Sequence, residues 1–215
     1  MKQLIISLIA LFMTVSGTDA QELQTVKLNA PNKSRGVAVM KALADRHSER
    51  EFDGRDISLQ DISDLLWAAN GVNRADGKRT APSAMNRQEI DVYCVNKEGA
   101  YLYDAAAHTL KPVSKGDYRK AVVGGQKFDS LAPVWLVLVA NLEKLGDPTL
   151  EQTRLVAAMD AGIVCQNINI FCSAAGLSTV PRATLDRDAL KSALKLSDKQ
   201  LLMLNNPVGY PPKKK

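Results

Sequence analysis

The segment at residues 46–52 carries the side chains best suited to hold an anion. It reads Arg-His-Ser-Glu-Arg-Glu-Phe and follows an amphipathic helical pattern. Arg46 and Arg50 are four positions apart, so a helical turn would place both guanidiniums on one face, where they could grip one anion together. Their planar donors match phosphate oxygens better than an ammonium does. The alternative is a solvated basic turn in which Ser48 caps the backbone.

Metal and disulfide chemistry are not expected. Cys94, Cys165 and Cys172 form no CxxC motif or Cys/His cluster, and only two histidines are present, so the sequence predicts no zinc site. Cys165 and Cys172 would lie about 10 Å apart along one helix, which is too far for a disulfide within it. We interpret these two residues as buried and apolar.

The composition is that of one globular domain. Of the 215 residues, 46% are hydrophobic and 24% are charged, and this length is sufficient for one sizeable core. The net charge is +5, and only 5% of the residues are aromatic. No stacking platform for bases is visible, and we expect no nucleic-acid partner.

Residues 1–20 have the pattern of an export signal. Lys2 gives a positive start, residues 4–15 form an apolar run, and small residues precede a cleavage site after Ala20. The run is too short to span a bilayer comfortably. We therefore expect a periplasmic or secreted protein without stable membrane insertion after cleavage. An uncleaved membrane anchor is the alternative.

Hydrophobic periodicity predicts the elements that must position the chemistry. A polar lead-in at residues 21–33 precedes a single domain at residues 34–215. Helices are predicted at residues 34–45, 58–70, 117–123, 148–175 and 186–194, and strands at 90–95, 100–103, 109–113, 133–140, 177–180 and 200–208. Ser34 and Ser58 are the predicted N-caps of the first two helices. This mixture of hairpins and helices is typical of the α+β class.

Two of these elements stand out. Residues 133–140 are almost continuously apolar, which predicts a central buried strand. The helix at 148–175 carries a run of small residues that would let another helix approach closely, and it is apolar on more than one side. It therefore suits both an intrachain core and an intersubunit contact. His108 falls in a turn between strands, where we expect it to be exposed.

Five motifs, in order, make the chain resemble the nitroreductase superfamily of flavin enzymes. They are residues 46–52, 65–74, 81–86, 162–176 with the Leu177 and Pro181 that follow, and Gly209-Tyr210-Pro211. The resemblance is strongest to the branch of small proteins related to the thiazole/oxazole-forming peptide dehydrogenases. It implies a mostly antiparallel central sheet flanked by helices, with the long helix at the interface of a homodimer. Two FMN sites would lie between the subunits.

The same resemblance assigns roles to the first motif. Arg46 would pair with the FMN phosphate, and Ser48 would bond the phosphate or the ribityl chain. His47 would add backbone or ring contacts. Arg50 falls where the family places a cation near flavin N1 and O2, and a positive charge there stabilises the anionic reduced flavin.

Other parts of the chain would complete the site. By the resemblance, Pro82, Ser83 and Asn86 would line the flavin from the partner chain, the alternative being an ordinary turn before the next strand. Gln126 matches a position that often bonds the flavin ring, the alternative being an exposed helix end. Lys213 or Lys215 could reach the phosphate, or the lysine tail is simply solvated.

The loop at residues 180–184 falls where the family's backbone amides face flavin N5 and O4. Pro181, Arg182 and Ala183 are its candidate cofactor contacts. The better-known members have an acidic residue and a glycine where this chain has Ala183 and Thr184. Backbone donation survives that change, whereas a role for an acidic side chain does not. Larger members of the family have lid helices that shape the substrate pocket. By the resemblance these are shortened here, because only residues 105–130 leave room for them.

The resemblance implies an FMN-dependent oxidoreductase. Hydride would pass from a reduced donor, NAD(P)H or another, through flavin N5 to a small conjugated acceptor such as a nitroaromatic or a quinone. The cofactor carries such chemistry, and we identify no catalytic side chain beyond Arg50 as a charge stabiliser. NAD(P)H is scarce outside the cytoplasm, so the donor stays open. The alternatives are a flavin-dependent dehydrogenase of a peptide or small molecule, and a non-catalytic flavin-binding or partner-binding protein.

Overall fold

The computed structural model of the protein describes residues 22–126 and 132–213. The predicted export signal and Lys215 lie outside the described residues, as does part of the predicted lid region.

The described chain contains five α-helices and seven β-strands. The helices are α1 (Val39–Asp45), α2 (Leu59–Asn70), α3 (Arg119–Val123), α4 (Glu151–Ala175) and α5 (Arg187–Ala193). The strands are β1 (Val26–Lys27), β2 (Ile90–Val95), β3 (Gly99–Asp104), β4 (Thr109–Lys115), β5 (Val134–Asn141), β6 (Ser178–Thr179) and β7 (Gln200–Gly209). Single 3-10 turns lie at Ala84–Asn86 and Leu142–Lys144.

The strands form one antiparallel sheet with β5 near its centre. The strand order is β1-β4-β3-β2-β5-β7-β6, and the neighbouring strands pair antiparallel. Side chains of β5 alternate between two cores. Leu136 faces the core that α2 and α4 cover, whereas Trp135 faces the core that α3 and α5 cover. Both faces of β5 are buried, which confirms the predicted central strand and the α+β fold.

Helix α4 is the longest element and has two different faces. Ala157, Ala161 and Ile168 are fully buried against the sheet side. Leu155 and Met159, one turn apart on the other face, are 52% and 53% exposed. By length and composition alone α4 could cross a membrane, but its buried face packs into the core, as expected of a core helix. Gly176 ends it in the left-handed conformation, with φ 72°.

The start of the first helix differs from the prediction. Helix α1 begins at Val39 rather than Ser34, and extended Ala38 is its N-cap. The Ser34 hydroxyl donates instead to the Asn32 side chain at 2.8 Å. Gly36 has φ +97° and lies against Ala174, so the chain turns there before the helix can start. By contrast, the Ser58 cap of α2 is confirmed, since its hydroxyl accepts the Asp61 N–H at 3.1 Å.

The helical turn that would place Arg46 and Arg50 on one face does not form. Helix α1 ends at Asp45, and Arg46 has the extended angles φ −60° and ψ 118°. The Glu49 N–H donates to the carbonyl oxygen of Thr179 at 2.9 Å, which draws the segment along β6 instead of into a further helical turn. The two arginines therefore lie on an extended stretch.

Two smaller expectations also need correction. The polar lead-in is not only a linker, because it contributes β1, which pairs with β4 at the sheet edge. His108 is half-buried rather than exposed: its ring contacts the Tyr103 hydroxyl at 2.8 Å and the Asn29 carbonyl oxygen at 2.9 Å. Burial lowers the pKa of His108.

The cysteines are free and buried, as expected of Cys165 and Cys172. Burial raises the pKa of Cys94 to about 12 and that of Cys165 to about 11. Because the thiolate is the reactive form, these thiols are inert at neutral pH.

Candidate functional site

Residues 46–50, which we call the arginine segment, carry side-chain donors that no other described residue engages. Arg46 is half-buried, and Ser48 and Arg50 are exposed. In the described chain, neither guanidinium nor the Ser48 hydroxyl makes a hydrogen bond or an ion pair. Partly buried guanidiniums normally find partners. The arginine segment is therefore suited to bind an anion from outside the chain.

His47 is held by its neighbours within the arginine segment. Its Nδ1 lies 2.8 Å from the Asp45 carbonyl oxygen, and its Nε2 lies 3.4 Å from a Glu49 carboxylate oxygen. The carbonyl of Asp45, followed by Glu49, raises the pKa of His47. The ring is exposed, so its contribution to a bound group is one of contact and orientation.

A cavity of about 190 Å³ lies between the arginine segment and the C-terminal end of α4. It is lined by Asp45, His47, Glu49, Asn169, Ser173, Gly176, Leu177, Ser178, Thr179 and Pro211. Arg46, Ser48 and Arg50 are not among its lining residues. Its volume is below the roughly 300–1,000 Å³ typical of cofactor sites.

The loop after β6 presents free backbone donors. Arg182 and Asn205 exchange both backbone hydrogen bonds, at 2.9 Å and 2.7 Å, and the Asn205 side chain donates to the Thr184 carbonyl oxygen at 3.0 Å. These bonds fix the loop onto β7. The backbone N–H groups of Ala183 and Thr184 have no acceptor within the described part of the chain. They are exposed and can donate to a bound ring.

The Arg182 side chain is an anchor rather than a free ligand contact. It is 6% exposed, and it donates to the Val122 and Val123 carbonyls at 3.2 Å and 2.7 Å and to the Asn205 amide at 2.9 Å. Its Nε donates to the side-chain oxygen of Gln126 at 2.9 Å. Arg182 thus joins α3, β7 and Gln126, while Pro181 and Ala183 beside it are exposed.

Gln126 and Arg50 approach the same loop. The Gln126 side-chain oxygen accepts from Arg182, and the Gln126 amide N–H groups make no hydrogen bond to the described residues. Burial lowers the pKa of Arg182, and the positive charge of Arg50 lowers it further. Two guanidiniums therefore contribute positive potential beside the free N–H groups, a setting that favours negative charge on a bound group.

Residues 82–88, which we call the Pro82 loop, are held in a strained conformation. Met85, Asn86 and Gln88 have φ of 51°, 55° and 50°, which is uncommon for residues other than glycine. The Ser83 hydroxyl accepts the Gln88 N–H at 2.9 Å, and the Asp160 carboxylate accepts the Ala84 N–H at 2.8 Å. Pro82 and Asn86 remain exposed.

The Pro82 loop and the arginine segment do not meet within one chain. The Pro82 loop is tied to Asp160, in the first half of α4, whereas Ser173 near its other end bonds the Ala42 carbonyl just before the arginine segment. Thirteen residues of helix separate these anchors, or about 20 Å. The Pro82 loop thus lies beside the middle of α4 and the arginine segment beside its C-terminal end.

The C-terminal motif is fixed beside α2. The Tyr210 hydroxyl donates to the Asp61 carboxylate, which also pairs with Arg35. The Tyr210 carbonyl accepts the Asp53 N–H at 3.0 Å. Lys213 follows as an exposed residue that attracts Asp53.

Sequence reasoning missed several buried polar residues that support the site. Asn205 and Asn206 are consecutive on β7 and fully buried, so their side chains point to opposite faces. Asn205 holds the loop after β6, and Asn206 donates to Asn169 at 3.1 Å and to Thr179 at 3.2 Å. The signal was present as two adjacent amides inside an otherwise apolar strand.

The comparisons with known proteins agree with this architecture. The nitroreductase family model matches residues 43–210. A nitroreductase-like protein from Ralstonia eutropha, known from its crystal structure, is 34% identical, with a TM-score of 0.82, over 88% of this chain and 90% of that chain. The FMN reductase (NAD(P)H) of Bacillus subtilis is 27% identical over 155 residues, which span 66% of this chain and 53% of that protein.

The E. coli microcin synthetase McbBCD complex, solved with truncated pro-MccB17 bound, also has this fold. The TM-score is 0.67 at 17% identity, over 96% of this chain and 84% of that chain. This likeness shows that the two chains share a fold. The family match covers most of the chain and includes the first four motifs that predicted it, with Gly209 and Tyr210 of the fifth. The chain therefore belongs to the nitroreductase family.

Proposed function

We propose that the protein is an FMN-dependent oxidoreductase. It would pass hydride or electrons between a reduced donor, NAD(P)H or another, and a small conjugated acceptor such as a nitroaromatic or a quinone. Family membership supports an oxidoreductase, and a relative is named for FMN and NAD(P)H. The observation that carries the proposal is the arginine segment, whose two guanidiniums and hydroxyl have no partner among the described residues.

The residues present fit a flavin mononucleotide. Arg46 and Ser48 would hold the phosphate through charge-assisted hydrogen bonds. The N–H groups of Ala183 and Thr184 would donate to the acceptor atoms of the ring, with the Gln126 amide beside them. Bound FMN supplies the hydride and electron transfer. Arg50 would stabilise negative charge on the ring, and Arg182 would keep Gln126 and the loop after β6 in place.

The proposed active form is a homodimer. An exposed apolar stripe runs along α4 through Leu155, Met159 and Ile163, spaced four residues apart, and Met40 on α1 is 74% exposed. Such a surface on a folded chain favours association. Association of two copies along this stripe would also bring the Pro82 loop of one copy to the arginine segment of the other. Each FMN site would then be built from both subunits, with Pro82, Ser83 and Asn86 contributed by the partner.

The proposal places the mature protein outside the cytoplasm, on the strength of the signal pattern in residues 1–20. An exported enzyme meets little NAD(P)H, so a peptide, small-molecule or protein donor is the alternative electron source. A dehydrogenase that oxidises such a compound would use the same flavin site.

A second candidate is a flavin-binding protein without turnover. The observation in its favour is the loop after β6, where exposed Ala183 and Thr184 provide backbone donors but no acidic side chain. Binding would survive this change, and any reaction that needs a carboxylate there would not.

The visible spectrum of the purified mature protein tests binding first. We expect a yellow protein that releases FMN, identified by mass spectrometry. Bleaching by NADH or NADPH, followed by reoxidation with a nitroaromatic or a quinone, would support the oxidoreductase. A yellow protein that no donor reduces would support the second candidate, a flavin-binding protein without turnover. Colourless protein that takes up no added FMN would contradict both.

A further inference from the structure

A pair of buried carboxyl groups lies directly behind the Pro82 loop. Glu89 immediately follows the loop and is 0% exposed, and Asp160 on α4 is 6% exposed. Neither carboxyl oxygen of Glu89 receives a hydrogen bond in the described chain. The Asp160 carboxyl lies beside it and interacts with it. Two buried acceptors facing each other are compatible only if a proton lies between them.

The charges around Glu89 do not replace that proton. Lys144, from the turn after β5, attracts Glu89, but its ammonium bonds the Gln88 carbonyl at 3.2 Å and pairs with Asp91 at 3.5 Å. Arg79, in the loop before Pro82, also attracts Glu89, but within the described residues it donates no hydrogen bond to the Glu89 carboxyl, and burial lowers the pKa of Arg79. Burial, and then Asp160, raise the pKa of Glu89 to about 7.

We propose that Glu89 and Asp160 share one proton and that this acid pair is the positioning device of the Pro82 loop. With the proton present, Glu89 donates to one Asp160 oxygen, and the other holds the Ala84 N–H. When the proton leaves, two buried carboxylates repel each other and Asp160 moves from the loop. The strained backbone at Met85, Asn86 and Gln88 then loses the bond that maintains it.

The sign of the pH dependence follows from the raised pKa. The unfolded chain ionises Glu89 near 4.5, whereas the folded chain ionises it near 7. The pair therefore contributes its full stability below pH 4.5, and this contribution is lost as pH rises to about 7. Above that value the Pro82 loop loosens. If this loop lines the FMN site, FMN affinity falls over the same pH range. This last consequence rests on the proposed function.

Hydrogen exchange at the Pro82 loop of the FMN-free protein is the primary test. Glu89→Gln keeps the shape and a donor but cannot ionise. At about pH 6 both proteins should protect the Ala84 amide equally, and at about pH 8.5, where an acid of pKa 7 is almost fully ionised, the wild type should exchange roughly tenfold faster. Because wild type and variant are compared at the same pH, the intrinsic exchange rate of the Ala84 amide is the same in both and cancels. Glu98→Gln, at an exposed glutamate, is the control and should behave as wild type.

Asp160→Asn is the second variant, in case Glu89→Gln folds poorly. The asparagine oxygen can accept the Ala84 N–H while its amide donates to Glu89, so protection should persist at both pH values. FMN titrations form a separate arm: wild-type affinity should weaken by about the same factor between these pH values, and both variants should stay flat. Equal exchange in wild type and variants at about pH 8.5 would overturn the acid pair. If none of the proteins binds FMN, the proposed function fails, and hydrogen exchange alone still decides the acid pair.

Discussion

The arginine segment and the Pro82 loop are held in opposite ways. The arginine segment is attached through its backbone, by Glu49 to Thr179, and its cationic side chains are left without partners in the described chain. The Pro82 loop is attached from behind by buried groups, with Asp160 on its Ala84 N–H, and its backbone is strained. The first region offers charge, whereas the second offers a fixed shape.

Under the proposed function, this difference means that neither region alone would bind FMN well. A charged surface without a fixed shape binds many anions weakly, and a fixed shape without charge binds a phosphate with low affinity. The two regions lie about 20 Å apart along α4. We infer that the fold distributes these two tasks so that association of two copies assembles a selective site.

The largest expected effect concerns the buried anchor of the loop after β6, which lies beside the arginine segment. Arg182→Met leaves the Val122 and Val123 carbonyls and the Asn205 amide oxygen buried without their donor. We expect unfolding free energy to fall by about 3–5 kcal/mol, measured by urea denaturation. The matched control is Arg187→Met, which removes one bond, to the Leu202 carbonyl, from an exposed arginine. Equal losses in the two variants would show that Arg182 is not an anchor.

A smaller effect distinguishes charge from shape directly. Arg46→Ala should weaken FMN binding by about 1.5–3 kcal/mol, or roughly 10- to 150-fold, because a charge-assisted phosphate contact is lost. The loss should shrink at high salt, since screening weakens what the guanidinium contributes. Fluorescence titration of FMN measures both.

Lys111→Ala is the control for net charge in that titration. It removes the same unit of charge from β4, on the far side of the sheet, where Lys111 pairs with Asp104. We expect its FMN affinity to equal that of the wild type. If Lys111→Ala and Arg46→Ala weaken binding alike, the arginine segment acts only through overall charge and the comparison fails.

Elements with local signals were predictable from the sequence. The cap at Ser58, the alternation in β2, the apolar run of β5 and the Gly176 stop of α4 depend on neighbours within a few residues. The start of α1 was not predictable in this way. It depends on Gly36 lying against Ala174, a contact between residues far apart in the sequence.

The candidate site shows the same difference between residues predicted from local motifs and residues that depend on tertiary contacts. Its residues in the arginine segment and the Pro82 loop were recognised because they resemble family motifs. Their supports were not recognised, because Glu89 and Asp160 read as ordinary surface acids until the fold buries them together. Arg182 was expected to line the cofactor, and only its tertiary hydrogen bonds reveal an anchor. Whether the arginine segment is helical could not be decided from the sequence, because it depends on the hydrogen bond from the Glu49 N–H to the distant Thr179 carbonyl.

Mixed dimers test the composite site most directly. Arg46→Ala removes the charge of one region, and Pro82→Trp would fill the other with a bulky ring. A heterodimer of the two variants, purified with two different tags, has one site in which both regions are intact and one in which both are altered. We predict that each heterodimer binds one FMN with wild-type affinity. At an FMN concentration that just saturates this site, neither variant homodimer should bind a measurable amount of FMN. A heterodimer that binds FMN no better than its parents would contradict a site shared between two chains.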